Sequence, residues 1–190
     1  MKQAAVIALL FVSAFVHAES IQRIGPVEFD RSDRYLIESK HVDDRFRVDV
    51  LLPLGYEQAE QHYPVVYVTD SNYLLMPAAA TYLAQATQEY PKMIIVGIGW
   101  DVPSITRIRV RDLLPTCSKA YRSRQSMTKS ECGHAKNFSA FIEKELQPFI
   151  ADNYRSTEDR TLVGYSYGGV YALYALFNHT DLFDLSLIHI

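Results

Sequence analysis

The sequence predicts an α/β domain with a mostly parallel sheet and an antiparallel pair at its N-terminal edge. Three short runs, at residues 65–68, 93–98 and 160–163, are rich in β-branched and other apolar residues, which is typical of strands buried on both faces. Helical segments separate these runs, and strands that alternate with helices indicate a parallel sheet. Residues 45–52 instead alternate between apolar and polar, as expected for a half-buried strand.

The remaining elements follow from local patterns. Residues 35–38 are expected to be the antiparallel neighbour of the alternating strand. Residues 77–90 are Ala-rich with a proline near the start, which predicts the first helix. Residues 138–154 carry an apolar stripe at helical spacing, and residues 170–177 predict a third helix. The polar stretch 115–134 interrupts the alternation, and we expect it to be a surface excursion near the functional site.

The overall composition is that of a single globular domain. The chain has 190 residues, of which 48% are hydrophobic and 22% charged, and this length suits one domain. The formal net charge of −3 argues against a nucleic-acid partner, because binding to phosphates needs a basic surface. No metal-binding, phosphate-binding or dinucleotide-binding motif occurs in the sequence, so we expect no metal and no cofactor.

Residues 1–18 have the features of a secretory signal peptide. Lys2 gives a basic start, an apolar run extends from Ala4 to Val16, and small residues at Val16 and Ala18 provide a cleavage site. The run is shorter than the roughly 18 residues that a membrane-spanning helix needs. The alternatives are a membrane anchor and a buried first helix. Cleavage would place the mature protein in the periplasm or outside the cell, with no membrane attachment.

The last six residues, 185–190, read Leu-Ser-Leu-Ile-His-Ile, which resembles the translated end sequence of a transposase used to prepare DNA libraries. We therefore expect this tail to be non-native and residues 19–184 to belong to the fold. The alternative is an ordinary apolar strand that enters the sheet. Because His189 belongs to the suspect tail, we assign it no catalytic role.

The chemically informative segment is the G-x-S-x-G motif at residues 164–168. In this motif the serine lies on a sharp turn between a strand and a helix, and the flanking glycines allow the backbone to approach itself closely. Ser166 is then the candidate nucleophile, and the backbone N–H of Tyr167 is placed to stabilise an oxyanion. The following helix directs its positive dipole end toward the serine. The alternative is a Gly-rich turn that contains an incidental serine.

Four segments occur in the order seen in esterase-D-like esterases of the α/β-hydrolase fold. They are residues 63–72, 94–99, 109–115 and 160–169. This family includes siderophore (enterobactin-type) esterases, feruloyl esterases and S-formylglutathione hydrolases, and the chain most resembles the siderophore-esterase branch. The resemblance covers roughly residues 25–184. The chain departs from that branch at Ser71, where glycine is frequent, and at Tyr165, where histidine is common.

The resemblance implies roles for individual residues. Ser166 matches the nucleophile, and the backbone amide of Tyr167 matches one oxyanion donor. The second donor comes from the loop after the strand at residues 65–69, which places it at Asn72, with Ser71 next. Arg109 matches a motif near the substrate cleft, so it is a candidate for binding an acidic or catecholate-like group of the substrate. An ordinary Arg–Asp ion pair is the alternative for Arg109.

The partners of the serine are not evident in this chain. Serine needs an adjacent base to act as a nucleophile, and in this fold the acid and then the histidine follow the serine along the chain. Apart from the tail, only His179 follows Ser166, and it matches a surface turn of the family. We therefore expect residues 19–184 to be the N-terminal part of a hydrolase domain whose C-terminal part is missing, and a chain that hydrolyses little alone.

Cys117 and Cys132 are expected to form a disulfide if the protein is exported to an oxidising compartment. The bond would close a short ring within the polar stretch, and the loop-entropy estimate of its stabilisation is about 3 kcal/mol. The alternative is two free thiols.

Together these features predict a serine carboxyl-esterase that acts on a small-molecule ester through an acyl-enzyme on Ser166, with siderophore-type or aromatic esters as candidate substrates. Two other functions stay open. One is a peptidase or acyltransferase on the same fold, because a fold does not fix the substrate. The other is a non-catalytic, hydrolase-like protein that binds a ligand.

Overall fold

The computed structural model describes residues 29–84 and 91–189 and shows one six-stranded sheet in the order β1-β2-β4-β3-β5-β6. The strands are β1 (Ser32–Ser39), β2 (Asp44–Leu51), β3 (Tyr63–Thr69), β4 (Ile94–Trp100), β5 (Ser156–Tyr165) and β6 (Leu185–His189). The β1–β2 and β2–β4 pairs are antiparallel, and all other neighbours are parallel. The predicted fold class is confirmed. The predicted signal peptide, residues 1–18, lies outside the described residues.

The predicted strands are present, but burial on both faces is not found for residues 160–163: in β5 only Leu162 of these four is buried, and the other three are partly exposed. β4 is buried at all of its positions, as its continuous apolar run predicts. In β2 the apolar positions Phe46, Val48 and Val50 are fully buried. β5 begins at Ser156, before the predicted start at residue 160, because its first residue pairs with Tyr63 of β3 and extends the ladder.

Six α-helices, one 3₁₀ turn and one π-helical turn connect the strands within the described ranges. The helices are α1 (Ser71–Ala84), α2 (Thr106–Leu113), α3 (Lys119–Arg124), α4 (Ala135–Phe141), α5 (Gln147–Asn153) and α6 (Tyr167–Asn178). A 3₁₀ turn spans Lys129–Glu131, and a π-helical turn, Ile142–Leu146, joins α4 to α5. None of the helices described is long and apolar enough to cross a membrane.

The sheet lies between two helical layers. Val65 and Tyr67 of β3 belong to a large core that includes residues of α4 and α6, whereas the intervening Val66 and Val68 belong to a smaller cluster with Leu75 of α1. Successive side chains of a strand point to opposite faces. Helix α1 therefore covers one face of the sheet, and α4 and α6 cover the other.

All three predicted helices start earlier than predicted, and the one predicted over residues 138–154 begins at Ala135 and is interrupted by the π-helical turn at Ile142–Leu146. Helix α1 begins at Ser71 rather than at Pro77, because the carbonyl of Asp70 accepts hydrogen bonds from the N–H groups of Tyr73 and Leu74 at 2.8 and 2.9 Å. Pro77 therefore lies inside the helix, and the predicted end at residues 85–90 lies outside the described residues. Helix α6 likewise begins at Tyr167, directly after the serine, and not at residue 170.

Helix α6 leaves apolar side chains exposed on its outer side. Leu173, Leu176 and Phe177 retain 40%, 44% and 74% of their accessible surface. Such large apolar residues are usually covered when they occur together.

Residues 185–189 form β6, which pairs in parallel with β5 from the Thr161–Leu185 pair to the Tyr165–His189 pair. This is the arrangement expected from the alternative interpretation of the tail, an ordinary apolar strand that enters the sheet. The non-native origin of the tail stays a prediction.

Candidate active site

Ser166 lies at the sharp turn between β5 and α6. The strand ends at Tyr165 and the helix begins at Tyr167, so a single residue connects them. The backbone of Ser166 has φ 57° and ψ −117°, a conformation that residues other than glycine seldom adopt and that is typical of functional sites. This is the strand–turn–helix context in which the serine of a G-x-S-x-G motif is presented.

The two glycines of the motif are required by close backbone contacts. A Cβ atom on Gly164 would lie closer than 3.0 Å to the carbonyl of Gly168, and one on Gly168 would lie equally close to Thr69 Oγ1 and Asp70 Oδ2. The turn therefore packs against itself and against the end of β3. A side chain at Gly164 would push the backbone of the turn apart, and one at Gly168 would displace the side chains of Thr69 and Asp70 at the end of β3.

The first backbone amides of α6 are not used by the helix itself. The first hydrogen bond that closes a helical turn runs from the Val170 N–H to the Ser166 carbonyl, at 3.0 Å. The N–H of Tyr167 precedes it and has no partner within the helix. This supports the predicted role of that amide as an oxyanion donor.

Asn72 lies in the first turn of α1, at the end of β3. Its side chain accepts a hydrogen bond from the Trp100 N–H at 2.9 Å and donates one to the Trp100 carbonyl at 3.0 Å. The side chain is therefore fixed to the end of β4, which leaves the backbone amide as the group that can serve a substrate. The neighbouring Ser71 is buried, and its Oγ has no hydrogen-bond partner among the described residues.

Arg109, on α2, forms a two-pronged ion pair with Asp70. Its Nε lies 2.7 Å from Asp70 Oδ1, and its Nη2 lies 2.8 Å from Asp70 Oδ2. The alternative of an Arg–Asp ion pair is thus the arrangement that the structure shows. Asp112, in the same motif, accepts instead from the indole N–H of Trp100 at 2.8 Å and from Arg111. A substrate-binding role for Arg109 stays a prediction.

Two tyrosines extend this cluster around the serine. The guanidinium of Arg109 lies 5.0 Å from the centre of the Tyr167 ring, within the range of a cation–π contact. The hydroxyl of Tyr167 is hydrogen-bonded to that of Tyr121 at 2.8 Å, and this contact raises the pKa of Tyr121 to about 12. Burial raises the pKa of Asp70 above its ordinary value, although the paired Arg109 opposes this shift.

The sequence model of the family described as "Putative esterase" matches residues 39–189. The chain belongs to this esterase family. The matched region contains the serine turn, both segments with candidate oxyanion donors, and the Asp70–Arg109 pair. The predicted family resemblance is confirmed.

Two relatives of this chain are named esterases. It is 30% identical over 172 residues to a siderophore triacetylfusarinine C esterase of Aspergillus fumigatus, a match that covers 85% of this chain and 56% of the relative. It is 31% identical over 130 residues to the ferri-bacillibactin esterase BesA of Bacillus subtilis, covering 64% and 45%. The chain therefore spans about half the length of these relatives.

Solved structures share the fold of this esterase chain. The BES protein from Bacillus cereus superposes with a TM-score of 0.74 at 25% identity, over 90% of this chain and 64% of that protein. An IroE-like serine hydrolase from Shewanella oneidensis superposes with a TM-score of 0.68 at 32% identity, over 82% and 49%.

The histidines that follow Ser166 differ in position. His179 directly follows the 12-residue helix α6, so it lies about 18 Å from the serine along the helix axis. It forms part of a surface depression with His41 and Lys136, and its Nε2 lies 3.4 Å from the Tyr174 hydroxyl. This agrees with the expected surface turn. His189 is the register partner of Tyr165 in β6 and is assigned no role.

The loop that carries Tyr121 is closed by its two cysteines. Cys117 is paired with Cys132 across a sequence separation of 15, and their Cα atoms are 6.1 Å apart, within the range of disulfides. Helix α3 and the 3₁₀ turn lie inside the ring. Because Tyr121 contacts Tyr167, this closed loop forms a wall beside the serine turn, as expected for residues 115–134.

We expect protein that is purified without reductant and then denatured for thiol titration to contain no free thiol. Replacing both Cys117 and Cys132 with serine should lower the free energy of unfolding by about 3 kcal/mol, because the unfolded chain regains the entropy of the open loop. Urea denaturation measures this loss, and reduced wild-type protein serves as the matched control. Two free thiols per chain in this titration would contradict the disulfide.

Two functional contacts were missed at the sequence level. The sequence gives Asp70 no role beyond its membership of the segment at residues 63–72, and it gives Tyr121 none beyond the polar stretch at residues 115–134. An aspartate at the carboxyl end of a buried strand is a usable signal, because ligand sites lie at that edge of a sheet. Nothing in the sequence signals the Tyr121–Tyr167 contact.

Proposed function

We propose that the full-length protein is a serine hydrolase that cleaves carboxylic esters of small molecules through an acyl-enzyme on Ser166. The observation that carries this proposal is the conformation of Ser166 between two obligatory glycines. Membership of an esterase family supports ester hydrolysis in general. The strained turn at Ser166 supports the choice of this residue as the nucleophile.

The proposed reaction has two halves. Ser166 Oγ attacks the ester carbonyl carbon and loses its proton to a histidine, which we expect outside residues 29–184. The carbonyl oxygen becomes an oxyanion held by the backbone N–H groups of Tyr167 and Asn72. The C–O bond then breaks, and the alcohol leaves with the proton from the histidine. Water, activated by the same base, hydrolyses the acyl-serine and releases the acid.

A siderophore-type or aromatic ester is the proposed substrate. The support is that one relative is named a siderophore triacetylfusarinine C esterase and another a ferri-bacillibactin esterase, together with the aromatic side chains of Tyr167 and Tyr121 beside the serine turn. Action in the periplasm or outside the cell is proposed from the predicted signal peptide at residues 1–18. No nucleic-acid partner is proposed.

We expect a fluorophosphonate probe to label the protein expressed from its complete coding region once per chain. The probe reacts only with an activated serine, so intact-mass spectrometry should show one adduct, and peptide mapping should place it on Ser166. The matched control is Ser123→Ala, which removes an exposed serine on α3 and should leave labelling unchanged.

Activity assays on the protein expressed from its complete coding region distinguish the three candidate functions. Hydrolysis of p-nitrophenyl butyrate and of a catecholate triester, with no cleavage of the matching amides, supports an esterase. Preferential amide cleavage would favour the peptidase alternative. A full-length protein that binds a catecholate but takes up no probe would contradict the esterase and favour the ligand-binding alternative.

A further inference from the structure

The ion pair of Asp70 and Arg109 connects the two segments that carry the proposed oxyanion donors. Asp70 lies between β3 and α1, two residues before Asn72, and Arg109 lies over the ring of Tyr167. We propose that this pair is a positioning device that sets the separation of the Asn72 and Tyr167 backbone N–H groups. The inference rests on the proposed function of Ser166.

The pair is rigid and almost removed from solvent. Two hydrogen bonds, at 2.7 and 2.8 Å, join the planar guanidinium to the planar carboxylate. The Asp70 side chain is 2% exposed and that of Arg109 is 15% exposed. A charge-assisted fork of this kind restrains both the distance and the angle between two groups. It therefore fixes α2 relative to the end of β3.

On one side the pair determines how α1 begins. Asp70 has φ 57°, in the left-handed region that a non-glycine residue occupies only when its surroundings hold it there. Its carbonyl accepts from the N–H groups of Tyr73 and Leu74. Any rotation of the Asp70 backbone would therefore turn the first helical turn, and with it the N–H of Asn72.

On the other side the pair touches the serine turn at two places. The guanidinium of Arg109 covers the ring of Tyr167 at 5.0 Å from its centre. The backbone of Gly168 lies so close to Asp70 Oδ2 that a Cβ atom there would approach it to 2.9 Å. Tyr167 and Gly168 are the first two residues after Ser166, so the ion pair supports the turn that carries the second N–H.

The geometry disfavours direct binding of a substrate anion by Arg109. Two of its three guanidinium nitrogens already bind Asp70, and the carboxylate neutralises the charge of Arg109. A residue that acts by positioning affects the transition state, in which the oxyanion forms, more than the ground-state complex. A residue that binds the substrate affects both.

The test compares variants of the protein expressed from its complete coding region. Asp70→Asn and Arg109→Lys each break the fork but keep a hydrogen-bonding group. The double variant Asp70→Asn/Arg109→Gln leaves no unpaired charge in the site, which keeps the test open if a single variant fails to fold. The matched control is Arg107→Gln on the same helix, which removes an exposed ion pair with Glu131.

We expect kcat for p-nitrophenyl butyrate to fall about 10- to 100-fold in the folded variants, with KM within about twofold. Inhibition by butylboronic acid, whose tetrahedral serine adduct occupies the oxyanion site, should weaken by a similar factor. Arg109→Lys should retain more activity than the double variant. Arg107→Gln should match the wild type in all three measurements.

Other outcomes overturn the inference in distinguishable ways. A raised KM with unchanged kcat would show that Arg109 contacts the substrate. A lowered Tm with unchanged kcat and boronate inhibition would show that the pair is only structural. Ser166→Ala is measured in parallel, because hydrolysis that persists in it overturns the proposed function together with the inference. Hydrolysis lost in Ser166→Ala, with full kcat in the pair variants, overturns the inference alone.

Discussion

Replacing Ser166 with alanine is expected to reduce kcat for ester hydrolysis by about 1,000-fold or more, because the acyl-enzyme can no longer form. The folded state should be little affected. The side chain of Ser166 is half-buried, and alanine removes only its hydroxyl. Steady-state hydrolysis of p-nitrophenyl butyrate measures the loss in kcat, and the Tm from circular dichroism checks that the variant is folded.

Ser123→Ala is the matched control for this loss, because it removes the same atom from an exposed position on α3. It should retain the wild-type kcat. If Ser166→Ala kept most of the activity, another residue would have to be the nucleophile.

Replacing Gly164 with alanine is expected to disrupt the serine turn. The new Cβ would meet the carbonyl of Gly168, and a backbone atom cannot move aside as the end of a flexible side chain can. We expect a loss of about 3 kcal/mol in the free energy of unfolding, the upper part of the range for overpacked sites. Urea denaturation measures this loss, and the rate of fluorophosphonate labelling should fall with it.

Gly55→Ala separates the effect of the clash from the effect of adding a side chain to a glycine. Gly55 has φ 80°, and a Cβ there would meet only the ends of flexible side chains among the described residues, Lys92 Nζ at 3.5 Å and Gln58 Oε1 at 4.0 Å. The cost should be limited to the backbone conformation, about 1 kcal/mol, with labelling unchanged. Equal losses for the two variants would argue against a special constraint at the serine turn.

The sheet and the serine turn could be predicted from the sequence because their signals are local. Residues 65–68 and 93–98 are continuous apolar runs, and a run of this kind by itself indicates a strand that is buried on both faces. The G-x-S-x-G spacing likewise specifies a turn by its own steric requirements, and Ser166 indeed lies in a strained turn between β5 and α6.

Other features depend on contacts between distant segments. The start of α1 at Ser71 is set by the Asp70 carbonyl, which caps the helix only because β3 ends there. The partner of Arg109 could not be chosen from the sequence, since several aspartates were available and the packing of α2 against the end of β3 selects Asp70. Helices α2 and α3 are short and polar, so their periodicity is too weak to predict them.

The order of the strands also bears on when the serine becomes reactive during folding. β3 pairs with β5 through partners such as Val68 and Val163, which lie far apart in the chain. Bringing β3 and β5 together orders the long segment between them, and this loss of entropy occurs before the contacts that offset it have formed. Pairings of this kind therefore form slowly. The strained turn after β5 packs against the end of β3, so it cannot hold its conformation until that pairing exists. A chain that is still being synthesised therefore carries Ser166 but not yet the strained turn on which its proposed role as a nucleophile depends.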